Sequence, residues 1–422
     1  MRRDRLYSNR LTGRINRYDS GENMSKNIVL CLDGTWNGPD ARSANGSCTP
    51  TNVQLVFENL KGSGPLASTE DEKEVSLPAG PNNSAQEAKY IHGVGDTNNA
   101  LARMAQGAVG LGLIARIVRG YTYLSRQYRP GDRIYIVGFS RGAYTARALA
   151  GFVARQGLLD WNAMQLDGGS EASYSAGLAA WQQYKSSLHS DAPGLLHALA
   201  DGITSLYDRF ELGLRPSPPL KFVANVDICA VGVWDTVGAL GIPEIKNTDG
   251  TLERLDAFKF ADNLLNDRVA HGFQALAIDE QRVDFTPSIW GPRDGVVQVL
   301  FPGAHADVGG GYESEESGLP YGALLWMSYR LTSVGVLFER IPPVTANPLA
   351  IQHRPWASSN FISAVRHFPP GLRLSQRAVQ RLLAGIVPIE KGDAREYRPP
   401  NIVNSYLMPN WSGPAPHVLV ES

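Results

Sequence analysis

Residues 133–147 read R-I-Y-I-V-G-F-S-R-G-A-Y-T-A-R. From Arg133 to Gly138 the run is apolar and partly β-branched, which predicts a buried strand. From Ala143 to Arg155 the pattern predicts a helix that ends near Gly157. Between them stands Gly138-Phe139-Ser140-Arg141-Gly142, a G-x-S-x-G pattern at a strand-to-helix turn, the setting of a nucleophile elbow. Such a turn strains the serine backbone and exposes its hydroxyl. The flanking glycines leave room for strand and helix to approach. The backbone N–H of Arg141, at the positive end of the helix, is the first candidate donor to an oxyanion. A plain tight turn also uses small residues, so it is the strand–turn–helix setting that favours the elbow.

Outward from this turn the chain alternates strands and helices. Asn27 to Leu32, Ala88 to Val94, Val223 to Val233 and Val296 to Phe301 read as further strands. Thr51 to Leu60, Val109 to Tyr128 and part of Leu252 to Ile278 carry helical spacing, and Gly62 to Asn83 reads as a loop. Residues 160–220, rich in Ser, Ala, Gly and aromatics such as Trp161, Trp181 and Tyr184, read as a mostly helical insertion. Beyond residue 340 prolines are frequent and periodicity fades. The expected class is therefore α/β: an α/β-hydrolase-like, mainly parallel sheet with helices on both faces and a helical insertion. The expected organisation is a disordered leader at 1–25, a catalytic domain at 26–340, and a C-terminal extension at 341–422 packed on it.

Composition bounds the function. The chain has 422 residues, 43% hydrophobic and 19% charged, which fits a folded protein. The net charge of −1 provides no field for nucleic acid. Three cysteines, Cys31, Cys48 and Cys229, form no disulfide framework and no zinc spacing, and favour a reducing compartment. The Arg-rich leader lacks the apolar core of a signal peptide, and Met24 is an alternative start. No run of 18 apolar residues exists, since the best one is cut by Arg116. The cytoplasm is the expected location, with non-classical secretion left open.

A serine hydroxyl needs a base. Seven of the eight histidines follow Ser140, and His305 alone lies just past a strong strand in a Gly-rich loop. Most of the others read as ordinary surface or core positions. The orienting acid should end a strand between Ser140 and His305, and Asp235 in V-W-D-T-V-G does so. Asp307 is the rival acid, with capping of the next segment as its plain role. The loop after the first strand, Asp33-Gly34-Thr35, supplies Gly34 and Thr35 as second oxyanion donors, with Asp33 tying the loop.

Seven motifs then stand in order: D-G-T-W-N at Asp33, T-N-V at Thr51, G-V-G-D at Gly93, the elbow at Gly138, W-D-T-V-G at Trp234, A-I-D-E-Q-R at Ala277 and P-G-A-H-A-D-V-G-G-G-Y at Pro302. Together they resemble a family of uncharacterised α/β-hydrolase domains that includes phospholipase effectors of bacterial type VI secretion, over about residues 26–330. The resemblance implies a Ser–Asp–His triad at Ser140, Asp235 and His305, matching the residues read from the chain itself. The expected activity is hydrolysis of a carboxylic ester, lipid or phospholipid included, through an acyl-enzyme and without a cofactor or metal. Two alternatives compete. One is a metal-dependent phosphoester hydrolase using Asp33, Asp235, His305 and Asp307. The other is an inactive hydrolase fold used for binding. The insertion is a lid over the substrate, an added structural layer or an oligomer interface.

Overall fold

The computed structural model describes residues 25–34, 49–67, 72–81, 83–93, 108–189, 219–238, 244–246, 252–254, 265–357, 362–403 and 420–421. The expected leader up to residue 24, Thr35, Cys48, residues 94–96 and the second half of the insertion, 190–218, lie outside these.

Among the described residues nine strands build one sheet. They are β1 (Asn27–Leu32), β2 (Glu72–Leu77), β3 (Gln86–Ile91), β4 (Arg133–Phe139), β5 (Ile228–Trp234), β6 (Val269–Ala277), β7 (Val296–Phe301), β8 (Arg373–Ser375) and β9 (Val420–Glu421). Their spatial order is β9-β8-β7-β6-β5-β4-β1-β3-β2. Every neighbouring pair is parallel except β2 with β3. The architecture is thus the α/β one expected.

Seven α-helices accompany the sheet among the described residues: α1 (Asn52–Asn59), α2 (Ala108–Gln127), α3 (Arg141–Gln156), α4 (Glu171–His189), α5 (His305–Gly309), α6 (Pro320–Ser333) and α7 (Gln376–Ala384). Strand β1 shows how both faces are filled. Ile28, Leu30 and Leu32 pack with Ile117 and Tyr121 of α2, Leu149 and Phe152 of α3, and Trp181 of α4. Val29 and Cys31 point the other way, towards Val53 and Phe57 of α1 and Leu324 and Met327 of α6. This is the period of two that a strand imposes, and a strand buried on both faces is apolar at every step. A third apolar cluster joins Leu276 and Leu300 to Leu374, Leu382 and Val387 of the C-terminal stretch.

Two expectations fail here. Residues 269–277, read within a helical stretch, form the central strand β6. Its sequence V-A-H-G-F-Q-A-L-A is poor in β-branched residues, so propensity favours helix, and pairing on both sides with β5 and β7 overrides it. Residues 72–77, read as loop, form β2, an edge strand whose charges mask its pairing role.

The order of strands creates a crevice. The helix after β1 covers one face, and the helix after β4 covers the other. β1 and β4 are neighbours, so their carboxyl ends mark the position where α/β sheets bind ligands.

Candidate active site

Ser140 sits at the first of these loops, between β4 and α3. Its backbone is at φ 58°, ψ −124°, a conformation that L-residues rarely adopt. The two glycines are sterically required. A Cβ on Gly138 would lie 2.5 Å from the Gly142 carbonyl oxygen, and one on Gly142 would lie 2.2 Å from that of Leu32. The Ser140 N–H donates to the Trp234 carbonyl at 3.1 Å, which fixes the turn against the end of β5.

His305 and Asp235 converge on it from two other strand ends. His305 begins α5 just after β7, and its Nε2 is 2.8 Å from Ser140 Oγ. Its Nδ1 is 2.6 Å from Asp235 Oδ2. The ring packs against Phe139, with centroids 4.7 Å apart, and against Phe285, at 4.9 Å and close to perpendicular. Burial pushes the His305 imidazole below its ordinary pKa, although Asp235 pulls the other way. Asp235 follows β5 with φ 37°. Thus both the serine and the aspartate occupy strained backbone, as sites that over-determine a geometry do.

The sequence did not point to Arg366. Its guanidinium forms a fork on the Asp235 carboxylate, Nη1 to Oδ1 at 2.7 Å and Nη2 to Oδ2 at 3.0 Å. It also donates to the carbonyls of Ala277, at 2.9 Å, and Phe285. The Ala277 N–H completes the shell of Asp235 at 3.0 Å. Burial works against the Asp235 charge, but Arg366 and His305 outweigh it and hold the carboxyl well below the usual range. Glu280, within the A-I-D-E-Q-R motif, was quoted without a role. Its Oε2 accepts the His305 backbone N–H at 3.1 Å, and Arg282 pairs with it at 2.8 Å. Its place just beyond the end of β6 was the available signal.

Asp307, the rival acid, faces away from His305. Its Oδ1 is 2.7 Å from His353 Nδ1, and its Oδ2 accepts the N–H groups of Ala304 at 2.9 Å and His353 at 3.1 Å. His353, read from the sequence as ordinary, stacks on Tyr312 at 3.5 Å and reaches Glu316 at 3.3 Å.

Asp33 ties its loop. It accepts from Thr51 Oγ1 at 2.7 Å, from the Tyr90 hydroxyl at 2.6 Å and from the Gly34 N–H at 2.6 Å. The last bond engages one of the expected oxyanion donors. Gly34 was a candidate oxyanion donor, but its N–H is directed at the Asp33 carboxylate. Arg116 braces the same loop from below, donating to the Asp33 carbonyl, and its burial pushes its pKa down to about 10. The Arg141 N–H stands at the first turn of α3, at the positive end of the helix.

Asp235 and His305 meet, whereas the carboxylates of Asp33 and Asp307 are held by other partners, Thr51 and Tyr90 for the one and His353 for the other. Among the described residues no helix is long and apolar enough to cross a membrane. The described half of the insertion packs into the core: Phe152 meets Trp181 edge-on at 5.3 Å and Tyr184 at 5.0 Å.

An uncharacterized protein of Saccharomyces cerevisiae, YEL023C, is 28% identical over 292 residues, which cover 65% of this chain and 35% of that protein. The chain thus spans about a third of that relative's length. Among solved structures, an uncharacterized protein from Pseudomonas aeruginosa is similar with a TM-score of 0.40 and 18% identity, over 76% of this chain and 47% of that one. The Tle1 effector bound to the VgrG spike of the type 6 secretion system is similar with a TM-score of 0.38 and 16% identity, over 75% and 57%. The family model of the T6SS phospholipase effector Tle1-like catalytic domain matches residues 26–330. With seven motifs in order inside that span and an α/β sheet carrying them, the chain belongs to the T6SS phospholipase effector Tle1-like catalytic domain family.

Proposed function

We propose that the chain is a serine hydrolase that cleaves carboxylic esters of lipids through an acyl-enzyme. The observation that carries this is the unbroken relay from Asp235 to His305 at 2.6 Å and from His305 to Ser140 at 2.8 Å. In this reading His305 Nε2 removes the Ser140 proton as Oγ attacks the substrate carbonyl. The oxyanion rests on the Arg141 N–H, with Thr35 as the second donor. His305 then returns the proton to the leaving alcohol. Water enters, His305 takes its proton in turn, and the acyl group leaves as the acid. Asp235 holds the imidazole tautomer and balances its transient charge.

The family supports a lipid ester as the substrate class. The fork of Arg366 on Asp235 argues against a metal at that carboxylate, because a guanidinium occupies both of its oxygens. A fluorophosphonate probe tests the proposal. It should modify Ser140, and the adduct should vanish in Ser140→Ala. Esters of graded acyl length should then be hydrolysed by the parent chain only. A folded protein that neither takes up the probe nor cleaves any ester would return the binding-module reading to the front.

A further inference from the structure

Arg366 lies outside the 26–330 span of the family model. Its side chain is nevertheless buried at the centre of the site. It makes two bonds to the Asp235 carboxylate and one to the carbonyl of Phe285, the residue whose ring packs against His305. A bond to the Ala277 carbonyl anchors the same fork to the end of β6. One guanidinium thus fixes the acid, the aromatic wall beside the base, and the strand end between them. Asp235 is completely buried and, among the described residues, has one other cationic or potentially cationic partner, His305.

We infer that Arg366 is a positioning residue for the proposed Ser–His–Asp relay, and that the segment carrying it, beyond the matched domain, is a working part of the active site. This rests on the serine-hydrolase reading. The fork sets the plane of the Asp235 carboxylate, so that one lone pair of Oδ2 faces His305 Nδ1 and the other receives Nη2. Its charge also offsets part of the Asp235 field on the imidazole. Two effects follow that different substitutions separate. Arg366→Met removes both geometry and charge, whereas Arg366→Lys keeps a charge but loses the planar fork.

The experiment is the rate of fluorophosphonate labelling of Ser140 per folded molecule, from pH 4 to pH 9, in the full chain and both variants. Folded protein is counted by near-ultraviolet circular dichroism. Arg366→Met should label at least about tenfold more slowly at its optimum, because the acid is no longer held in line. Its acid limb should move up by about one pH unit, because the unshielded Asp235 raises the His305 pKa. Arg366→Lys should label slowly with its limb in place. A purely architectural Arg366 predicts less folded protein, with the folded remainder labelling at the parent rate and on the parent profile. That result, in either variant, overturns the inference. Should Arg366→Met yield no folded protein, the Lys variant and its rate decide alone. A parent chain that is never labelled would defeat the serine-hydrolase reading itself, a different outcome from a labelled parent with indifferent variants.

Discussion

His305 sits between Asp235 and Ser140 with its ring packed against two phenylalanines, and burial lowers its pKa from the ordinary 6.5. A base works when neutral. The acid limb of kcat/KM should therefore fall below 6.5, and a pH–rate profile with its limb at or above that value would contradict the arrangement. Gly142 offers a second test. An added methyl would meet the backbone oxygens of Leu32 at 2.2 Å and Asp33 at 2.4 Å, neither of which can swing aside. Gly142→Ala should cost at least about 1–3 kcal/mol of stability in urea unfolding and disturb the elbow, so activity should fall with it. At this scale the meeting of Ser140, Asp235 and His305 was legible, since each follows the end of a strand, in the chain order that the proposed relay requires. Arg366 and His353 were not. Their carboxylate partners lie 131 and 46 positions away, and the stretch that carries them has no periodicity. The Gly34 N–H has the Asp33 carboxylate as acceptor, and an N–H in a loop carries no sign, in sequence, of which acceptor it has.

The helix α4 opens the insertion, for which a lid, an added layer and an oligomer interface are the sequence-based expectations. Trp181 is 1% exposed and lies 5.3 Å from Phe152 of α3 and 5.5 Å from Tyr184, so this helix is a layer over α2 and α3. Trp181→Ala should destabilise the fold by about 3–5 kcal/mol, as other large core truncations do. The folded fraction should keep its kcat, which activity measured beside a denaturation curve checks. A loss of kcat without loss of stability would restore the lid. Long apolar elements such as β1, β4 and β7 were legible because burial on both faces leaves a run that only a central strand explains. Strand β6 was hidden by Ala and Gln, whose local preference opposes the pairing they adopt. Strand β8, three residues long, is too short to carry a pattern at all.

Across the whole molecule, buried ionisable groups give stability a pH dependence with a definite sign. Burial raises the Asp279 carboxyl from 3.8 to about 6, against the pull of the Gly303 N–H and the Tyr397 hydroxyl. Between these values the folded state holds a proton that the unfolded chain has lost. Stability should therefore decline by about 3 kcal/mol from pH 4 to pH 6 on this account and stay level above. Asp279→Asn keeps an acceptor for both donors and should flatten that part of a melting-temperature profile. A profile unchanged by the substitution would refute the assignment. The fold class was readable from the alternation of strands and helices. The contribution of residues beyond 340 was not, because β8 joins the sheet and Leu374 and Leu382 cover Leu276 and Leu300 without any local signature. The order of residues along the chain has a further meaning for when this site comes into being. A ribosome delivers Ser140, Asp235 and His305 before it delivers Arg366. On the proposed role of that arginine, a nascent chain carries the reacting groups while the clamp that aligns them is still to be made. On that reading, a chain built in this order carries a slower, unaligned relay until the segment bearing Arg366 has been made.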